Sequence, residues 1–148
     1  MEAILIELQK LRKININVIL FNIISKSDIQ TFIKNLIRID QLFKEGVSEE
    51  NVIIGYYSPY TESLYPDKKA GTHYTLKLTG AFYNSFTISP NETFMVIDAD
   101  GDKGNGKNLF EIYNDSGNFL GLTETSMEKL QKYLIPLIVA EYGEQLGI

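Results

Sequence analysis

Asp98-Ala99-Asp100-Gly101-Asp102 places three carboxylates at alternate positions, the opening spacing of a calcium loop whose first, third and fifth residues ligate a hard cation. The rest departs from that pattern: Lys103 stands where the turn needs glycine, and Leu109 where a bidentate glutamate closes the shell. Residues 94–97 before it are β-formers rather than the end of an entering helix. The spacing predicts a solvated acidic turn, with a weak cation site as the alternative. Gly101-Asp102-Lys103-Gly104-Asn105-Gly106-Lys107-Asn108 overlaps it and matches a phosphate-binding P-loop except at its last position, where Asn108 replaces the magnesium-ligating Ser or Thr. Three nearby aspartates repel a triphosphate, and residues 109–114 are a weak start for the helix whose amides should cradle it, so no nucleotide site is expected.

Five of the nine tyrosines, Tyr56, Tyr57, Tyr60, Tyr65 and Tyr74, fall within 19 residues that also hold Lys68, Lys69 and His73. Aromatics beside cations can stack bases or sugars. Tyrosine also suits protein interfaces, because it combines apolar area with a hydroxyl at low rotamer cost. Strand alternation would bury Tyr56 or Tyr57 in either case. Tyr56, Tyr57, Tyr60 and Tyr65 are accordingly the candidate protein interface. His73 is the single histidine and reads as a loop residue, with no nucleophile beside it to make a triad. With no cysteine, thiolate chemistry, disulfides and sulfur-ligated metals are excluded. No catalytic residue, cofactor or metal site is expected, and the chain reads as a non-enzyme.

The elements that must carry these residues follow from periodicity. Ile4, Leu5, Leu8 and Leu11 recur at helical spacing, with Glu2 and Glu7 early and Lys10, Arg12 and Lys13 late, as the helix dipole prefers. Residues 14–24 are ambiguous between helix and strand, since alternating Ile14, Ile16 and Val18 run into a continuous apolar stretch. Ser27 and Gln30 form the spacing of a capping box, and Ile29, Phe32, Ile33, Leu36, Ile37 and Phe43 trace one apolar stripe to Gly46. Beyond Gly46, β-formers cluster at residues 52–57, 74–78, 85–88 and 93–97, the last two as a hairpin across Ser89-Pro90-Asn91-Glu92. Thr123, or Thr125 with Glu128, opens a final helix with Met127, Leu130, Leu134 and Leu137 expected to cover the sheet, and Pro136 predicts a kink or a second segment.

Length and composition set the frame. A chain of 148 residues, 44% hydrophobic and 22% charged, fits one domain with a sizeable core. The expected fold class is α+β, an antiparallel β-sheet flanked by N-terminal helices and a C-terminal helix, as one domain over residues 1–148. Residues 1–46 are read as a mainly helical arm and 47–148 as the sheet body. No apolar run reaches the roughly 18 to 20 residues a membrane helix needs, and the acidic start Met1-Glu2-Ala3 predicts no secretory signal. The net charge of −5 arises entirely after residue 74, where five basic face ten acidic residues. That balance disfavours nucleic acid as a partner.

A series of short motifs in fixed order resembles small virion-assembly proteins of tailed bacteriophages. They are Arg38-Ile39-Asp40-Gln41-Leu42-Phe43-Lys44-Glu45-Gly46-Val47, Ile54-Gly55-Tyr56-Tyr57-Ser58-Pro59-Tyr60-Thr61, and Leu76-Lys77-Leu78-Thr79-Gly80-Ala81-Phe82-Tyr83-Asn84-Ser85-Phe86. Ile97-Asp98-Ala99-Asp100, Leu109-Phe110-Glu111-Ile112-Tyr113 and Phe119-Leu120-Gly121-Leu122-Thr123 complete the set, which runs from about Arg38 to Leu134. The resemblance implies a neck or tail-completion protein that joins head to tail as a homo-oligomeric ring. Its implied partners are itself and neighbouring phage head, neck or tail proteins, with no membrane and no sequence-specific nucleic acid. The implied location is the virion, and the host cytoplasm during assembly. The glycine- and lysine-rich insert at residues 103–107 and the hydrophobic 14–24 stretch depart from the usual pattern. A cellular ligand- or cation-binding module, using the tyrosine segment or the Asp98 loop, is the alternative function. An enzyme of phage origin such as a nucleotide hydrolase would need the degenerate P-loop.

Overall fold

The computed structural model describes residues 2–91 and 94–147; the side chains of Glu7, Leu11, Arg12 and Lys13 and the hairpin residues Glu92 and Thr93, all used above, lie outside that description. The fold is α+β, as expected. Among the described residues, seven α-helices surround a two-stranded antiparallel sheet.

The ambiguous 14–24 stretch is a helix. After α1 (Glu2–Lys13), the Asn15 side chain accepts a hydrogen bond from the Asn17 amide and caps α2 (Ile16–Ile24). Helical winding brings Ile19, Ile23 and Ile24 to one buried face, which the alternating strand reading would have split across two. α3 (Ser27–Asn35) follows at once, but without the capping box: Lys26 is its N-cap, and Gln30 Nε2 donates instead to the Ile24 carbonyl at 3.0 Å. The two-residue connection leaves Ser27 already inside the helix.

From Leu36 to Glu45 the same helix continues in π register, closed by Gly46 in the left-handed conformation with its amide on the Gln41 carbonyl. Bonding five residues apart instead of four changes which side chains share a face. Leu36 and Ile37 are buried, and so are Gln41 and Leu42, five residues on. Phe43, assigned to the buried stripe by α-helical spacing, is instead 46% exposed.

α4 (Pro59–Leu64) starts with proline at its first position and the Ser58 hydroxyl accepting from the Thr61 amide at 3.1 Å. α5 (Ala81–Asn84) leads into β1 (Thr87–Pro90), which pairs with β2 (Met95–Asp98) from Thr87↔Asp98 to Pro90↔Met95. Among the described residues the β-formers at 52–57 make only isolated bridges, Val47↔Ile53 and Tyr56↔His73, and those at 74–78 make none. Gly55 admits the Tyr74 ring where a Cβ would meet it at 2.3 Å, and Leu76 turns to φ +56°, so neither segment runs on as a strand. The sheet is therefore smaller than β-propensity suggests.

α6 (Leu109–Ile112) and a 3-10 turn (Asn114–Ser116) precede α7 (Glu124–Leu146). Thr123 caps α7 by accepting from the Ser126 amide at 3.2 Å. The helix is continuous through Pro136, which is exposed together with Lys132 one turn earlier, where water reaches the interrupted turn. α7 does not lie across the sheet. It packs on α1, α2 and the π-helical segment, burying Leu130 and Leu134 while Met127 stays exposed. α2 and α3 thus belong to the core rather than to an arm; among the N-terminal helices only α1 lies largely in the open.

Two hydrophobic clusters result. The first is aliphatic: Ile19, Ile23, Ile24, Ile29, Ile33, Leu36, Ile88, Leu130 and Leu134. The second gathers Phe82, Tyr83, Phe86 and Phe119 around Ile37, Leu42, Ile54 and Leu109. Neighbouring Leu36 and Ile37 point to different clusters, so the π-helical segment joins them.

Candidate functional site

The tyrosine segment is organised by Tyr57, the one of the four candidate interface tyrosines that turns inward. Its Oη accepts from the Thr75 amide at 3.0 Å and from Lys68 Nζ at 3.1 Å, and lies 3.1 Å from Thr75 Oγ1. Burial alone raises a phenol's pKa, but here the hydrogen bonds of Thr75 and the Lys68 ammonium outweigh it and hold Tyr57 below its usual value. Lys68 also donates to the Lys77 carbonyl at 2.7 Å, which ties residues 65–68 to residues 75–77. The Tyr57, Tyr74 and Tyr113 rings form a continuous wall, with centroids 4.9 and 5.3 Å apart. Tyr83 donates its hydroxyl to the Thr75 carbonyl, and its pKa is pushed well up by burial and by nearby Tyr57. Tyr113 is raised too, by burial, then Tyr74 and Tyr57.

Tyr56, Tyr60 and Tyr65 point outward, Tyr60 with 73% of its surface exposed. Beside them Glu62 accepts from the Ala70 amide at 2.9 Å and Lys69 Nζ at 3.1 Å, which together lower its pKa. His73 Nε2 lies 2.9 Å from the Phe43 carbonyl, so that nitrogen carries the proton and the ring packs over Gly46. A Cβ on Gly46 would stand 2.3 Å from the ring, and its φ of +65° independently favours glycine. Lys77, Tyr83 and Tyr113 were not singled out from sequence. Lys77 lies in a stretch read as strand and Tyr83 beyond it, and the chain reverses at Leu76, φ +56°, between Tyr57 and both of them.

The Asp98 loop is closed on itself. Asp98 Oδ1 accepts from the Ala99 amide, Asp100 Oδ1 from Asp102, and Asp102 Oδ1 from Gly104, at 2.8 to 2.9 Å. Each carboxylate thus stabilises its own turn, and among the described residues no three acidic or histidine side chains converge on a point that could hold a metal. The P-loop-like stretch folds into a turn shut by Lys103 N to Lys107 O at 2.8 Å. Asn108, in the magnesium-ligand position, caps the four-residue α6 by accepting from the Phe110 amide.

Polar clamps connect segments far apart in the chain. Gln41 is buried, donating from Nε2 to the Gly121 carbonyl and accepting at Oε1 from the Thr123 amide, both at 2.9 Å. Arg38 donates to the Tyr83 carbonyl at 3.0 Å. A third feature is apolar: α1 exposes Ile4 (63%), Leu5, Ile6 and Leu8, α2 exposes Ile16, Val18 and Phe21, and α7 exposes Ile135 and Val139 (64%). Both α1 and α2 contact α7, so these side chains lie on adjoining elements. Among the described residues no helix is long and apolar enough to cross a membrane.

This geometry defines an α+β chain with a tyrosine-lysine cleft, a self-closed acidic loop and an uncovered apolar helical region. Comparison with protein families, with curated proteins and with solved structures found no match.

Proposed function

We propose that this chain is a non-enzymatic structural protein of a tailed-phage or prophage particle, a ring-forming neck or tail-completion subunit that joins head to tail. Its partners in this reading are further copies of itself and neighbouring head, neck or tail proteins, in the virion and, during assembly, in the host cytoplasm. The observation that carries it is the uncovered apolar surface of α1, α2 and α7. Burying a side chain of this kind contributes roughly 1.5–3 kcal/mol when the burial is complete, so α1 gains far more from a partner than from solvent. A closed ring needs two different faces on each subunit. The apolar helices supply one, and the exposed Tyr56, Tyr60 and Tyr65 offer another of the composition protein interfaces favour. The ordered motifs also support the reading, since Gln41 and Arg38 bind the later ones into a single framework.

The test is oligomeric state and location. Light scattering at high protein concentration should detect a multimer of identical copies, and electron microscopy of particles should place density for it at the head-tail joint. The double variant Ile4→Asp/Leu8→Asp should reduce the multimer to a monomer that still unfolds cooperatively, losing only the stability that association adds, because both side chains are exposed in the single chain. A wild-type protein that stays monomeric and is missing from purified particles would sink the proposal.

A further inference from the structure

Two adjoining clefts of about 430 and 400 Å³ share Tyr57, Lys68, Lys77 and Leu78 as a common wall. The larger falls within the size range of small-molecule sites. Tyr65 and Tyr113 are aromatic residues of its lining, Lys68, Lys77 and Lys103 its three cationic residues and Asp102 its one acidic residue, while Asp67 lines the smaller cleft. That is a local excess of positive charge in a chain whose net charge is −5. Among the described residues, none of the three lysines forms an ion pair with a carboxylate; the pairs found are Lys44 and Lys129 with Asp40, and Lys69 with Glu62.

The wall is fixed before any ligand arrives. Lys68 commits two of its three donors to Tyr57 Oη and the Lys77 carbonyl, leaving the third. Lys77 Nζ rests over the rings of Phe43 and Tyr83 at 5.4 and 5.8 Å, a placement that holds the charge without neutralising it. Leu76, at φ +56° in the lining, adopts a conformation costly for a leucine and held there by its surroundings.

We propose that this cleft binds a small ring-bearing anion, its ring against the tyrosine wall and its phosphate or carboxylate on Lys68 and Lys77. The proposal does not rest on the assembly reading. An anion alone satisfies the ammonium groups and forgoes the ring contacts, whereas a neutral ring does the reverse. Only a molecule with both uses the whole cleft.

The test is calorimetric titration of the full chain with four probes: phenyl phosphate, benzoate, inorganic phosphate and benzyl alcohol. Phenyl phosphate or benzoate should bind at least about tenfold more tightly than either single-feature probe, a difference that one charge-assisted hydrogen bond can supply. Whichever of the two binds better identifies the anionic group. Lys77→Gln should weaken the better probe by about tenfold or more at an unchanged melting midpoint, while Lys69→Gln, whose ammonium pairs with Glu62 outside the lining, should leave it unaltered. Should Lys77→Gln fail to fold, Lys68→Gln, at the other lysine on which the anion rests, replaces it, with the same weakening expected. A ring advantage below tenfold, or affinity untouched by the lysine substitution, overturns the proposal.

Discussion

The aliphatic and aromatic clusters are held by different means. Around Ile19, Ile33 and Leu130 the backbone is helical, so amides and carbonyls pair within their own segments and the side chains can be almost wholly aliphatic. Around Phe82 and Phe119 regular structure is sparse, and the backbone relies on side chains instead: Gln41 on Gly121 and Thr123, Arg38 and Tyr83 on other carbonyls, Ser116 on Ile54. The stacked pair Phe110 and Phe119, 4.9 Å apart and nearly parallel, and the edge-on Phe82 then fill irregular space that shorter side chains would leave empty. The lesson is that a polar side chain can be as structural as a core aliphatic wherever the chain leaves helix and strand.

The largest expected effects test whether the clusters are one core or two. Phe119→Ala should cost about 3–5 kcal/mol and Leu130→Ala about 2–5 kcal/mol in denaturant unfolding, since each is 1% exposed. If the clusters act independently, the double variant should equal the sum within about 0.5 kcal/mol. A larger coupling would mean that the π-helical segment transmits strain between them, and the comparison would need redrawing as a single core.

Next in size is the clamp. Gln41→Ala leaves the Thr123 amide and Gly121 carbonyl without their partner and should cost about 2–3 kcal/mol, with faster hydrogen exchange at Thr123. Gln30→Ala in the helical half loses one bond, to the Ile24 carbonyl, in a partly buried site and should cost about 1 kcal/mol. Equal losses at the two positions would erase the proposed difference between the halves.

The smallest effect concerns alkaline pH and is confined to the aromatic side. Tyr83 and Tyr113 have raised pKa values in the folded chain, so their contribution is complete below the usual phenol value of 10.0 and is lost as pH rises above it. Tyr57, with its pKa lowered, works in the opposite sense and adds stability as pH passes upward through its folded value. Two raised phenols against one lowered predict a net decline in unfolding midpoint above pH 10, and Tyr83→Phe should flatten it. A midpoint that stays level above pH 10 would show that folding does not favour the neutral forms of Tyr83 and Tyr113, since the gain from Tyr57 is complete by then.

Much of the helical half was legible in the residues. Ile29, Ile33, Leu130 and Leu134 recur at spacings that any helix turns to one side, and Thr123 was one of the two caps the residues offered, the structure choosing it over Thr125. Acidic spacing around Asp98 likewise read as turn chemistry, because Asp and Asn side chains satisfy nearby amides wherever the chain folds back. Three matters were decided only in three dimensions. The 14–24 stretch became helix because a helical partner, α7, was available for one face of it. Phe43 became exposed because the π register turned it off the buried face, which no α-helical periodicity encodes. The β-formers at 52–57 and 74–78 failed to extend a sheet, and Tyr57, Lys68 and Lys77 met at a cleft instead. Local sequence fixes which conformations a segment prefers, but which face finds a partner, and which distant side chains meet, depends on contacts that exist only once the whole chain has folded.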